Sequence, residues 1–149
     1  MSEKLPLYPQ VATWLGIVSQ LYDTRMTKLL SEYDLTLTQF ALLNHLGRNQ
    51  TSKHTISMLA DALEVNQPGV TKIVKKMTGL GWVQVEKDEA DSRKKYVSIT
   101  KVGGEMIMTI QMALAPDVVP WFDEWNVDEM KDFLAHLQKL GGWLEQNKL

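Results

Sequence analysis

The side chains best placed to do chemistry lie between Asn66 and Gly103, and the chemistry they suit is recognition of a polyanion. Spacing by threes and fours from Asn66 to Leu80 puts Val70, Ile73, Val74 and Met77 on one side of a helix. Gln67, Thr71, Lys72, Lys75 and Lys76 fall on the other, a face of amide, hydroxyl and ammonium groups with no carboxylate. A glutamine amide can bond an adenine edge bidentately, a lysine can reach guanine acceptors or a phosphate, and a threonine offers a hydroxyl or a methyl contact. Pro68 stands where only the first turn of a helix tolerates it. Further on, Asp91, Arg93, Lys94 and Lys95 crowd into one turn-rich stretch. A guanidinium there suits the negative potential of a narrow minor groove. Lys75, Lys76, Lys94 and Lys95 suit phosphates, which supply affinity rather than sequence choice.

Bond-breaking chemistry has no comparable support. The chain has no cysteine, which removes thiol nucleophiles, disulfides and cysteine-ligated zinc. It has no glycine-rich phosphate loop, no His-Glu-x-x-His and no nucleophile elbow. His45, His54 and His136 are scattered without ligand spacing. The expectation is therefore no enzyme activity, no metal and no cofactor. No stretch approaches the roughly 20 apolar residues of a membrane span, and the opening MSEKLPLYPQ does not read as a leader. A cytoplasmic chain without a membrane partner is expected.

A formal charge of -2 over 149 residues would argue against nucleic acid if it were spread evenly. From Asn66 to Gly103, however, eight lysines and arginines stand against four carboxylates, and from Gly104 to Leu149 three cations stand against eight. A basic middle and an acidic end imply a polyanion-facing segment carried on a scaffold that faces elsewhere.

The elements that must position these groups follow from periodicity and caps. After Pro9, the residues Val11, Leu15, Val18, Tyr22, Met26 and Leu29 draw an apolar stripe down a long helix. Thr36 and Gln39 have capping-box spacing, so a helix starts near Leu37, runs through the apolar Phe40 to Leu46 and stops at Gly47. Thr55 caps a short helix carrying Ile56, Leu59, Ala60 and Leu63, and the helix from Asn66 follows at a sharp angle. Gly81 closes that helix. Trp82 to Glu86 and Tyr96 to Ile99 then alternate as the strands of a hairpin with a charged tip, with Trp82 packing at its base. Thr100 caps a helix with Val102, Met106, Ile110 and Leu114 as its stripe, interrupted by Pro116 and Pro120, and Asn126 with Glu129 opens a final helix.

A long helix, a buried helix, two short helices, a hairpin and two more helices is the order expected of a winged helix-turn-helix. Four stretches, LTLTQFALL (Leu35 to Leu43), LADALEVNQPGVTKIVKKM (Leu59 to Met77), DEADSRKKYVSIT (Asp88 to Thr100) and TKVG (Thr100 to Gly103), give a sequence that resembles the MarR family of regulators. The resemblance implies a mainly α fold with a small β-hairpin wing, organised as one domain over residues 1–149. Residues 1–34 and 104–149 would be dimerisation helices and 35–103 the DNA-binding region. It also implies that the helix from Asn66 lies in the major groove, with Gln67, Pro68, Thr71 and Lys72 at base edges or adjacent phosphates and Lys75 further along. In the wing, Asp91 would hold Arg93 for the minor groove, although the pair also suits an ordinary turn salt bridge. Glu89 stands where the family often has proline and Ser92 where it often has a second arginine, so a weaker wing field is expected.

The function so implied is sequence-specific binding of double-stranded DNA by a homodimer, a ligand-responsive repressor on a near-palindromic operator. The alternative is a winged-helix protein-interaction module without DNA binding. Regulators that resemble this chain take a small aromatic or phenolic effector between body and reading head. Trp14, Tyr22, Arg25, Tyr33 and Trp121 are the aromatic and cationic candidates, no motif assigns the pocket, and filling of a dimer core explains the same residues equally well.

Overall fold

The computed structural model describes residues 3–149. Six α-helices and one hairpin follow in the order α1 (Tyr8–Ser31), α2 (Leu37–Arg48), α3 (Ile56–Leu63), α4 (Gln67–Gly79), β1 (Val83–Lys87), β2 (Lys95–Ile99), α5 (Lys101–Val118) and α6 (Val127–Gln146). A short 3-10 turn, Val119–Phe122, separates α5 from α6. The fold class is therefore mainly α with a two-stranded antiparallel wing.

Local chemistry starts the helices. Thr36 Oγ1 accepts from the Gln39 amide and Gln39 Oε1 accepts from the Thr36 amide, both at 3.1 Å, a complete capping box. Thr55, Asn66, Thr100 and Asn126 each accept the backbone N–H three residues on, between 2.7 and 3.2 Å. Three helices end alike, in a left-handed residue that returns two N–H groups to the last turn, the Schellman arrangement. Gly81 (φ 77°) does so after α4, but Asp34 (φ 55°) does so after α1 and Glu64 (φ 54°) after α3.

The core lies where the end of α1, helices α2 to α5 and the hairpin meet. Leu30 from the end of α1, Leu42, Leu43 and Leu46 from α2, Leu59 from α3, Val70 and Met77 from α4, Val97 from β2 and Ile110 from α5 are fully buried. Trp82 packs against this cluster at the foot of the hairpin. The strands pair from Val83–Ile99 to Lys87–Lys95, and the loop before α3 adds one bridge in which the Val97 amide donates to the His54 carbonyl at 2.7 Å.

A close joint ties α5 to the hairpin foot. The Thr100 hydroxyl donates to the Gly81 carbonyl (2.6 Å), and the Thr100 amide donates to the Trp82 carbonyl (3.0 Å). Gly103 lies so near that a β-carbon there would fall 2.0 Å from the Trp82 carbonyl oxygen.

Four sequence expectations are corrected. Gly47 does not stop α2, which runs to Arg48; Gly47 instead lets Ile107 of α5 approach. Pro116 lies inside α5, and the α-helix gives way only at the 3-10 turn containing Pro120. The buried stripe of α5 is Gly103, Ile107, Ile110 and Leu114, while Val102 is exposed. On β1 only Val83 is buried, and Val85 is exposed.

Away from this core the chain leaves apolar surface uncovered. On α1 only Met26 and Leu30 are buried, so Val11, Leu15, Val18 and Tyr22 stand open. No residue of α6 is buried, although Phe133, Leu134, Leu137 and Leu144 line one flank. Among the described residues no helix is long and apolar enough to cross a membrane.

Candidate nucleic-acid interface

Helix α4 is held by its apolar side and offers the other to solvent. Val70, Val74 and Met77 are buried and Ile73 partly so, while Gln67, Pro68, Thr71, Lys72 and Lys75 are all exposed. The Asn66 cap bonds the Gly69 amide at 2.7 Å, which fixes the first turn, the one bearing Gln67 and Pro68. A β-carbon at Gly69 would meet Asn66 Oδ1 and Val65 Cγ1 at 3.0 Å, so a small residue is wanted there.

Lys76 is engaged elsewhere. Its ammonium donates to the Asp34 carbonyl (3.0 Å) and to Gln39 Oε1 (3.3 Å), at the corner between α1 and α2. Five of the six residues expected on this helix face thus stand together, and the sixth is bonded across the edge.

The wing tip is ordered by two aspartates. Asp88 Oδ1 accepts the Ala90 amide at 2.8 Å, closing an Asx turn, and Asp88 Oδ2 accepts the Tyr96 hydroxyl at 2.8 Å. The Ala90 amide bond and then the Tyr96 bond hold the Asp88 carboxyl below its ordinary range, and the same contact pushes the Tyr96 phenol up. The Asp88 amide donates to the Lys94 carbonyl at 2.9 Å, closing the loop. Asp91 Oδ1 accepts from the Arg93 amide (3.0 Å) and from Arg93 Nε (3.2 Å). The Arg93 side chain is nevertheless 91% exposed, so the pair orients the guanidinium more than it stabilises the fold.

Lys94 and Lys95 are exposed beside it, and Lys95 pairs directly across from Lys87. Like charges facing across a ladder destabilise it, and this pair adds positive charge to the wing. Lys53 lies over the Tyr96 ring at 5.0 Å. Asp88, Tyr96 and Lys53 were missed from sequence; the Asx-turn position of Asp88 was the available signal.

The five aromatic and cationic candidates divide. Tyr22 of α1 meets Trp121 edge-on, with ring centroids 6.2 Å apart, and the Arg25 guanidinium lies 6.0 Å from the Trp121 ring. Trp121 Nε1 is buried and has no hydrogen-bond partner among the described residues. Burial, and after it the charge of Asp23, pushes the Tyr22 phenol above its ordinary value. Trp14 and Tyr33 are exposed and no ring contact joins them to this cluster. His45 and His54 stack edge-on at 5.2 Å, while among the described residues no three His, Cys, Asp or Glu side chains converge as metal ligands.

Comparison with known proteins places this geometry. The profile of the MarR family matches residues 33–94. The HTH-type transcriptional regulator YdcH of Bacillus subtilis is 29% identical over 126 residues, covering 82% of this chain and 83% of YdcH. The apo form of wild-type MarR from E. coli shares the fold with a TM-score of 0.71 at 22% identity, over 87% of this chain and 94% of MarR. MepR of S. aureus, solved in complex with DNA, does so with a TM-score of 0.66 at 19% identity, over 90% and 97%.

Proposed function

We propose that the chain, whose residues 33–94 match the profile of the MarR family and which is similar to the regulator YdcH, is a winged helix-turn-helix DNA-binding transcription regulator of that family, and that it represses transcription as a homodimer whose grip on DNA a small ligand loosens. The observation that carries the DNA reading is the exposed, carboxylate-free face of α4 beside a wing whose arginine is held outward. Gln67, Pro68, Thr71 and Lys72 read base edges or adjacent phosphates in the major groove, and Lys75 binds phosphate. Arg93, oriented by Asp91, enters the minor groove, with Lys94 and Lys95 on the flanking phosphates. That MepR, which shares the fold, has been solved in complex with DNA supports the choice of DNA as the partner.

Residues 1–149 act as one MarR-type domain, with 1–34 and 104–149 as the dimerisation parts and 35–103 as the reading head. The uncovered apolar flanks of α1 and α6 support the homodimer, since surfaces of that extent rarely stay wet. Two-fold symmetry then calls for a near-palindromic operator with half-sites about one helical turn apart. The protein works in the cytoplasm.

The effector is a small aromatic or phenolic anion. Arg25 supplies charge, Tyr22 and Trp121 supply stacking surface, and the orphan Trp121 N–H supplies a donor with no acceptor of its own. A ligand favouring a mis-spaced pair of heads by about 1–3 kcal/mol suffices to switch occupancy.

Selection of bound duplexes from a random pool, followed by titration of the recovered duplex at two salt concentrations, tests the reading. A palindrome and a steep loss of affinity with salt are expected. Lys72→Ala with Arg93→Ala in a folded protein should abolish the preference for the recovered duplex. Salt-independent binding, or unchanged affinity in the double variant, refutes the assignment and leaves a protein-interaction module.

A further inference from the structure

Helix α4 carries three lysines past its first turn; Lys72 and Lys75 are exposed, while Lys76, about 40° round the helix from Lys72 and nearest the buried side, is half-buried. Successive residues advance about 100° around a helix, so Lys76, nine residues beyond Gln67, stands about 180° from it, at the edge where α4 meets the head. There its ammonium finds two oxygens belonging to different elements. The Asp34 carbonyl (3.0 Å) is the last group of the Schellman turn that ends α1, and Gln39 Oε1 (3.3 Å) is the oxygen that completes the α2 capping box. The Asp34 carboxylate lies 3.9 Å away but is fully exposed, so water screens it and the carbonyl is the contact that holds.

We propose that Lys76 is a positioning residue for DNA reading: it latches α4 to the α1–α2 corner and so sets the angle at which Gln67, Thr71 and Lys72 meet the bases. The inference rests on the DNA-binding reading above. The corner is the place where the long helix α1, proposed for the dimer body, enters the head, so a latch there also holds the head's attitude to that body. With two of its three donors bound inside the protein, Lys76 is not a phosphate ligand, in contrast to Lys72 and Lys75.

The test compares binding of the duplex recovered by selection with a scrambled duplex of the same length, across a salt series, with folding followed by circular dichroism. Lys76→Met should weaken the selected duplex about fivefold, leave the scrambled duplex unchanged and leave the salt slope unchanged. Lys75→Met should instead weaken both duplexes and lower the slope by about 1.8, one phosphate contact from each protomer. Gln39→Leu, which leaves the Asp34 carbonyl bond in place, should give part of the Lys76→Met loss, the double variant should be no worse than Lys76→Met alone, and Lys76→Arg should restore binding. Asp34→Asn, which keeps the carbonyl, should bind as the parent does. Equal weakening of both duplexes with a reduced slope in Lys76→Met overturns the latch in favour of a phosphate contact. A lower melting temperature with unchanged selectivity, or additive losses with Gln39→Leu, overturns it in favour of mere packing. Salt-independent binding by the parent protein overturns the DNA reading itself, and the latch with it.

Discussion

Two adjacent glycines near the start of α5 should respond in opposite directions to the same substitution. In Gly103→Ala the new β-carbon falls 2.0 Å from the Trp82 carbonyl oxygen, 2.8 Å from its carbon and 2.9 Å from Ile99 Cγ1. Non-bonded heavy atoms want about 3.5 Å, so the Trp82 peptide must retreat by about 1.5 Å. That carbonyl accepts the Thr100 amide at 3.0 Å, so the retreat breaks the bond that seats α5 on the hairpin. Overpacking against backbone costs about 1–3 kcal/mol and the lost hydrogen bond about 1 kcal/mol, so a destabilisation of about 2–4 kcal/mol is expected. At Gly104 nothing lies within 4 Å of a β-carbon, and alanine there should stabilise the helix by about 0.5–1 kcal/mol. Urea denaturation at fixed protein concentration reads both variants. A loss below about 0.5 kcal/mol in Gly103→Ala, or equal effects at the two sites, refutes the close joint as the reason for glycine at residue 103.

Three further outcomes follow from particular contacts. Leu137→Asp on the open flank of α6 should shift the protein toward monomer in sedimentation and weaken operator binding, while leaving protomer helicity intact; a dimer of unchanged strength would remove α6 from the interface. His45 is held below its ordinary 6.5 by burial first, then by the charges of His54 and Arg48. The unfolded chain therefore takes up the proton before the folded one does, and stability is full above pH 6.5 and falls as the pH drops below it, toward the folded-state value. His45→Gln should flatten that acid limb in a pH series of melting temperatures, and an identical limb would refute the assignment. In Tyr96→Phe the Asp88 carboxyl should titrate higher than in the parent, yet still below its ordinary range because the larger Ala90 contribution persists; carboxylate NMR reads it, and an unmoved titration would deny that the hydroxyl helps hold the wing.

Helix starts were more legible than helix ends, of which the glycine stop at Gly81 was read correctly and the non-glycine stops were not, for a physical reason. An N-cap is local: Thr36, Thr55, Asn66, Thr100 and Asn126 each bond an amide three residues on, so the side chain that begins the helix is written beside it. A left-handed C-terminal residue costs a non-glycine about 1–2 kcal/mol, an amount that tertiary contacts can outweigh. Asp34 and Glu64 take that conformation while Lys76 and Lys148 reach them from distant parts of the chain. Gly47, which looked like a stop, is instead a gap for Ile107. The α5 stripe slipped by one position at its start because a glycine carries no hydropathy signal, although Gly103 is the residue whose backbone packs most closely.

The interface was legible to the extent that its geometry is local. Asp91 and Arg93 are two residues apart, and the loop that holds them closes on itself, so the pairing that the family resemblance implied is made within the loop. Lys76 bonds a carbonyl 42 residues away, and nothing near it in the chain marks that partner. Helical periodicity fixes the direction in which a side chain leaves the axis; a lysine stem is long enough to carry its charge over the edge and back onto the protein. Counting cations along α4 therefore overstates the charge it presents to DNA. With Lys76 latched, each head offers one phosphate-binding lysine fewer than the sequence suggests, and a homodimer two fewer. The salt slope should then be shallower by about 1.8 than a count of every basic residue on α4 implies, with a correspondingly larger share of operator binding carried by Gln67, Thr71 and the wing.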